Sequence, residues 1–340
     1  VTTPPIPSDR RPLTQKPEAQ PLLAVVVDTE EEFDWSAPFS RDAVSVEALR
    51  ELHRFQELCT EHGVIPTYVC DWPVVTSDLG QRVLGSYLDA GRCEIGAHLH
   101  PWVTPPYTEE LNSRNSYPGN LPPHLEREKL ERLTAAIEEH LGRRAMVYRA
   151  GRYGLGPRTA DALSALGYAI DVSPLAGFDL SLDGGPDWSG LDAQPYTFGR
   201  AGDLIGFPAT GGYAGWLGGG AELHRALHAA LPRALRLPGI LSRLGAFERL
   251  MLSPEGYTLS HMKHLTRALF ARGQRIFQLS LHSPSMLPGC TEYARNPQER
   301  DELLARCGGY FDWFRKELDG EMLALAQLPQ RLMTPGPSAA

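Results

Sequence analysis

The run Leu22 to Val27, LLAVVV, followed at once by Asp28, Thr29 and Glu30, constrains this chain more than any other stretch. Six apolar residues, three of them β-branched, read as a strand buried on both faces, central in a parallel sheet. Its carboxyl end delivers acid. Alternate residues of a strand point the same way, so Asp28 and Glu30 are expected to face one site. Two carboxylates held together repel unless a proton or a cation lies between them. The stretch is therefore compatible with a metal site at a strand end or with a solvated acidic loop behind a core strand.

The rest of the chain alternates. Apolar residues at helical spacing predict helices over Val46–His62, Leu79–Ala90, Leu125–Leu141, Pro157–Leu166, Thr258–Arg272 and Pro297–Leu318. Between them lie short apolar runs, Val64–Cys70, Cys93–His98, Ala145–Arg149, Tyr168–Val172 and Arg275–His282, which predict strands. The alternation implies an α/β protein of parallel β/α units, wound as a barrel or as an open sheet. It breaks at about 183–252, a Gly- and aromatic-rich region that reads as an insertion. There Ala221–Leu252 looks helical with interruptions at Pro232 and Pro238, and is apolar enough for a lid or a partner surface. The loop from Pro101 to Pro123 is long for a compact domain and predicts either a binding loop or disorder. Residues 1–20 and 334–340 are expected to be disordered tails around one domain over 21–325.

Charge excludes one class of function. With 33 Lys and Arg against 41 Asp and Glu, and no basic run, the chain is not expected to bind nucleic acid through phosphates. No apolar stretch reaches the length of a transmembrane segment. Five dispersed cysteines without a C-x-x-C pair suggest reduced thiols. The Pro-rich start has no apolar signal core, so a cytoplasmic location is expected.

In β/α folds chemistry collects where strands end. Besides Asp28 and Glu30, three strand ends carry reactive groups. His98 and His100 stand two apart, which in extended backbone turns both imidazoles the same way, toward one ion; with a carboxylate they would make a three-ligand zinc-type site, or else they merely fix a Pro-containing turn. Arg149 would hold a carboxylate or make a surface ion pair. His282 would donate a proton near neutral pH or sit bonded to backbone in the core, and Asp171 would orient it or begin a turn. Tyr196, Phe198, Tyr213 and Trp216 would stack on a sugar or fill the insertion's core.

Taken in order, VVVDTEEEFDW, EIGAHLHPW, YRAGRYG and LSLHSPS resemble the motifs of the polysaccharide deacetylases, the NodB-homology group or carbohydrate esterase family 4. The spellings HLHPW, RAGRYG and SPEGYTL are most similar to the WalW-like branch from surface-polysaccharide biosynthesis. The similarity runs from Leu22 to about Leu318. It implies a distorted (β/α) barrel of about seven strands and a hydrolase that removes N-acetyl, or O-acetyl, groups from an acetylated sugar or glycan. Zn is the implied metal, with Co, Ni or Mn as alternatives.

Carried across residue by residue, the resemblance makes Asp28 the catalytic base and Glu30, His98 and His100 the metal ligands. Arg149 steadies the base, His282 is the catalytic acid, and Asp171 is the carboxylate behind it. Tyr153 and Trp102 would contact substrate. Three spellings depart from the family: Thr29 separates the two acids, the histidines are two apart rather than four, and Ser280 stands where a leucine is expected. A Mg²⁺-dependent phosphatase using Asp28 as nucleophile, or a glycan-binding barrel without turnover, would also begin from the first motif.

Overall fold

The computed structural model describes residues 6–217, 219–227, 239, 241 and 244–333. Twelve strands occur among them: β1 (Arg11–Pro12), β2 (Leu22–Thr29), β3 (Thr67–Cys70), β4 (Glu94–Leu99), β5 (Val147–Ala150), β6 (Ile170–Asp171), β7 (Tyr196–Phe198), β8 (Leu204–Gly206), β9 (Gly211–Ala214), β10 (Glu248–Met251), β11 (Ile276–His282) and β12 (Glu321–Met322). Seven of them run parallel in the order β8-β6-β5-β4-β3-β2-β11. The expected central strand is β2, buried along its whole length between β3 and β11.

No ladder closes β8 onto β11 among the described residues. Single bonds bridge the gap instead. Thr210 Oγ1 accepts from the Gln278 N–H at 2.8 Å, the Leu252 N–H donates to Thr210 O at 2.7 Å, and Gln278 Nε2 donates to Phe207 O at 2.7 Å. The result is a distorted (β/α) barrel.

Alternation along the strands sorts the core into two clusters. Leu22, Ala24 and Val26 of β2 join Val69, Val147, Ile170, Phe207 and Ile276 in the smaller, interior cluster, sealed at one end by Leu323, Leu325 and Leu328. Leu23, Val25 and Val27 face outward, into the larger cluster shared with the surrounding helices. Both faces of the strand therefore leave water, at about 1.5–3 kcal/mol per large aliphatic side chain. The interior is tight: a Cβ on Gly96 would lie 2.7 Å from Val147 O, so only glycine fits there.

The helices follow their signals. Pro297–Leu318 has the expected bounds, started by the Asn296 cap and a proline in the first turn. Pro123–Leu141 ends at Gly142 and Thr159–Leu166 at Gly167, both with left-handed backbone. The long loop before Pro123 is tied down from below. The buried Lys129 ammonium donates to the carbonyls of Pro101, Thr104 and Pro106 and lies 3.1 Å from Glu109 Oε1.

Two regions differ from the sequence reading. Residues 6–20, expected as part of a disordered tail, lie on the body: β1 pairs antiparallel with β7, and Arg275 donates to Pro17 O. The 183–252 region is divided. Its residues 196–206 enter the main sheet as β7 and β8, while β9 and β10 form a separate two-stranded pair. Ala221–Leu227 is helical and β10 covers Glu248–Met251. Most of the expected lid between them, residues 228–238 included, lies outside the described residues, as do 334–340.

Candidate active site

The interior parity of the strands sets the site. On β2 the side after Leu22, Ala24 and Val26 continues to Asp28, and on β5 the side of Val147 continues to Arg149. On β11 the side of Ile276 continues through Gln278 and Ser280 to His282. Adjacent strands are in register, so Asp28 is level with His282, and His98 with Arg149. Asp28, Glu30, His98, His100 and His282 consequently line one cavity of about 210 Å³ at the carboxyl ends of the strands.

Glu30 Oε2 lies 3.1 Å from His98 Nε2 and 3.5 Å from His100 Nε2, and the three donor atoms all fall within 4.8 Å of one another. Two ligands about 2.0–2.1 Å from one ion at a tetrahedral angle stand about 3.3 Å apart, so the spacing fits. The donor orientation fits as well. His98 Nδ1 lies 3.2 Å from Arg149 O and His100 Nδ1 lies 2.9 Å from Glu31 Oε2, which turns both Nε2 atoms toward Glu30. Burial opposes ionisation of Glu30, but attraction to His282 and the His98 and His100 contacts outweigh it and hold its pKa at about 2. Burial lowers the pKa of His100, favouring the neutral imidazole that a metal takes. Gly151 makes room, since a Cβ there would lie 2.6 Å from His100 Cδ2.

A carboxylate layer lies behind His100. Glu31 Oε1 accepts the Trp102 indole N–H at 2.7 Å, and the Glu31 N–H donates to Asp71 Oδ2 at 2.8 Å. Burial pushes Glu31 up to about 7 and Asp71 well above its usual range. Trp102, expected to contact substrate, is here instead: 1% exposed and stacked on His100 with centroids 4.2 Å apart. The aromatic side chain of that cluster that lines the cavity is Trp35, followed by Tyr117 and Tyr153 on other segments.

Arg149 Nε lies 3.1 Å from Asp28 Oδ1, an ion pair whose angle is too bent for a hydrogen bond. Its Nη2 donates to Gln278 Oε1 at 2.9 Å and to Ser280 Oγ at 3.2 Å, so the serine in place of the expected leucine helps to fix the guanidinium. His282 Nε2 lies 3.7 Å from Asp28 Oδ2.

The carboxylate behind His282 is Glu255, not Asp171. Glu255 Oε2 lies 2.6 Å from His282 Nδ1, and its Oε1 accepts the His282 N–H at 3.1 Å. Burial works against protonation of His282, but Glu255, then Glu30 and Asp28, raise its pKa to about 10. Asp171 sits between Ile170 and Val172, both of the interior cluster, so its side chain takes the opposite face and bonds Ser173. Glu255 comes from the loop after β10, where the sequence showed no period to place it.

Of the aromatics singled out from the insertion, none lines the cavity. Tyr196 and Phe198 are core, Tyr213 stacks on Phe247 at 5.5 Å, and Trp216 is 72% exposed elsewhere. No described helix is long and apolar enough to cross a membrane.

Seven parallel strands with acids and histidines at their carboxyl ends make a distorted (β/α) barrel with one polar, reactive end. Comparison with solved structures agrees. A candidate polysaccharide deacetylase from Mycobacterium smegmatis is similar over 100% of this chain and 99% of its own, with TM-score 0.57 and 15% identity. The Puue allantoinase is similar over 98% of this chain and 96% of its own, with TM-score 0.55 and 16% identity. A family 4 acetyl xylan esterase from Clostridium thermocellum, solved with a cobalt ion, aligns at TM-score 0.43 and 12% identity over 92% of this chain and 93% of its own. No protein-family model matches the sequence, and no curated protein is similar to it in sequence. The likeness is one of fold.

Proposed function

We propose that this chain is a metal-dependent hydrolase that removes an acetyl group from the amide, or ester, of a sugar, in keeping with a role in making surface glycans. One observation carries the reading: a Glu30–His98–His100 donor set and an Asp28–His282 pair open into one cavity, each histidine held from behind on Nδ1. Glu30, His98 and His100 would hold the ion. Zinc, or cobalt, nickel or manganese in its place, would supply a Lewis acid for the acyl oxygen and lower the pKa of water.

The chain's own residues do the rest. Asp28 Oδ2 takes the proton of the attacking water, and Arg149, 3.1 Å from Asp28 Oδ1, holds the carboxylate in place. His282, kept protonated by Glu255, gives its proton to the departing amine or alkoxide. Glu255, 2.6 Å from Nδ1, fixes the imidazole so that Nε2 faces the cavity. Tyr153 and Trp35 wall the acyl-bearing group.

The test is acetate release from N-acetylated and O-acetylated sugars by the zinc-loaded protein. Chelation should stop it and zinc or cobalt restore it. Metal analysis that finds no bound ion, together with no acetate from any substrate, would leave a barrel that binds glycans without turnover. The small cavity also suits a second reading, hydrolysis of a small cyclic amide, the ring chemistry named by the allantoinase neighbour. Ring opening of allantoin, followed by nuclear magnetic resonance, separates the two.

A further inference from the structure

Arg152 is unlike the other basic residues of the site. It lines the same cavity as Asp28, Glu30 and the histidines, yet it does no work in the chemistry above. Its backbone is left-handed, with φ 55°, and so is that of the next residue, Tyr153, with φ 59°. A non-glycine residue in that region is disfavoured by about 1 kcal/mol or more. Glycine would adopt either position freely, so the side chains must offset the strain.

The guanidinium is held but not neutralised. Its face lies 4.2 Å from the Tyr117 ring centroid and 5.5 Å from that of Trp35. Nη1 donates to Ser116 Oγ at 2.7 Å and reaches Ser113 Oγ at 3.4 Å. Within 4.0 Å it meets one carboxylate among the described residues, Asp183, whose Oδ2 is 3.9 Å from Nη2 and whose side chain is 72% exposed. An ion pair that long and that wet is weak. Only 16% of the Arg152 side chain remains exposed, and this burial lowers its pKa. A largely desolvated cation without a close anion is a binding group waiting for one.

We infer that Arg152 binds an oxyanion, a carboxylate or a phosphate, carried by the substrate whose acyl group reaches the Glu30–His98–His100 end of the cavity. The cavity, about 210 Å³, is where one acylated sugar unit would meet both Arg152 and the Glu30–His98–His100 end. An acidic or phosphorylated acylated monosaccharide, free or at a chain end, fits this description. The inference deepens the deacetylase reading and rests on it for the acyl group alone.

The experiment compares N-acetylglucosamine, its 6-phosphate and its uronic acid by calorimetry on the zinc-loaded protein, with acetate release followed in parallel. Inorganic phosphate serves as a competitor. One or both charged sugars should bind at least tenfold more tightly than the neutral one, and Arg152→Met should remove most of that preference. Asp183→Asn, which frees the guanidinium of its distant partner, should tighten the charged sugars severalfold. Equal affinity for the charged and neutral sugars, or a preference that survives Arg152→Met and ignores Asp183→Asn, overturns the proposal. If charged sugars bind through Arg152 but release no acetate, the anion site stands and the deacetylase reading falls. If acetate is released from all three with no dependence on charge or on Arg152, the reverse holds.

Discussion

Asp28 and His282 are register partners on adjacent parallel strands, and their side chains converge to 3.7 Å between Oδ2 and Nε2. A base and an acid on one rung of a sheet can serve the two halves of a hydrolysis without moving. Asn at position 28 keeps the shape but cannot take a proton. Asp28→Asn should lower acyl hydrolysis by about 10²–10⁴-fold while metal content stays the same. Full turnover in that variant, with metal bound, would remove Asp28 from the mechanism.

Glu255 raises the pKa of His282 to about 10, together with Glu30 and Asp28. In the proposed mechanism His282 works as the acid only while protonated, so activity should be lost as pH rises through the histidine's pKa. Removing the Glu255 charge lowers that pKa. Glu255→Gln should therefore move the alkaline limb of kcat/KM to lower pH by about one unit or more. An alkaline limb at the wild-type position would show that another group sets it.

Glu31 holds His100 from behind and is itself held by Trp102 and Asp71. Such partners orient a ligand and raise its basicity. Glu31→Ala should weaken zinc binding by about 10–100-fold, measured by competition with a chromophoric chelator. Unchanged affinity in a folded variant would make Glu31 a packing residue.

Glu126, on the helix Pro123–Leu141, is buried, and that burial pushes its pKa up to about 7 despite the bond from Thr159 Oγ1. The folded protein thus keeps a proton that the unfolded chain releases near the usual carboxylate pKa. Stability contributed by this residue is full at low pH and falls as pH rises from about 4.5 to about 7, by about 3 kcal/mol in the limit. Glu126→Gln should be more stable than the parent in urea at pH 8 and nearly equal to it at pH 4.5. A difference independent of pH would refute the assignment.

Lys129 and Glu109 are a buried pair, at 0% and 3% side-chain exposure. Lys129→Met leaves the Glu109 charge buried and three carbonyls without their donor. The variant should lose about 3–5 kcal/mol in denaturant, and the 101–123 loop should become the first site of proteolysis. Loss of less than about 1 kcal/mol would mean that the loop is held elsewhere.

The residues readable in advance share a property. Asp28, His98, Arg149 and His282 end apolar runs, and a strand's two-residue period says which way each one faces. The inward pair of histidines follows from the same strand rule, while the helix bounds at Pro297–Leu318 come from an equally local signal, the Asn296 cap and the proline after it. The strand rule also shows why Asp171 fails as the partner of His282: its neighbours Ile170 and Val172 already hold the inward face.

What the sequence by itself determined is the chain of parallel β/α units and the inward-facing ends of its strands, because periodicity is written into consecutive residues; whether those units wind into a barrel or an open sheet it left undecided. Glu255, Glu31, Trp35 and Arg152 stand on irregular segments, whose backbone has no period from which a direction can be read. Only tertiary packing brings Glu255 within 2.6 Å of a histidine 27 positions away, and only it turns Trp102 from the cavity wall to the back of His100. Those placements depend on closing the chain around a shared interior, which no local stretch encodes.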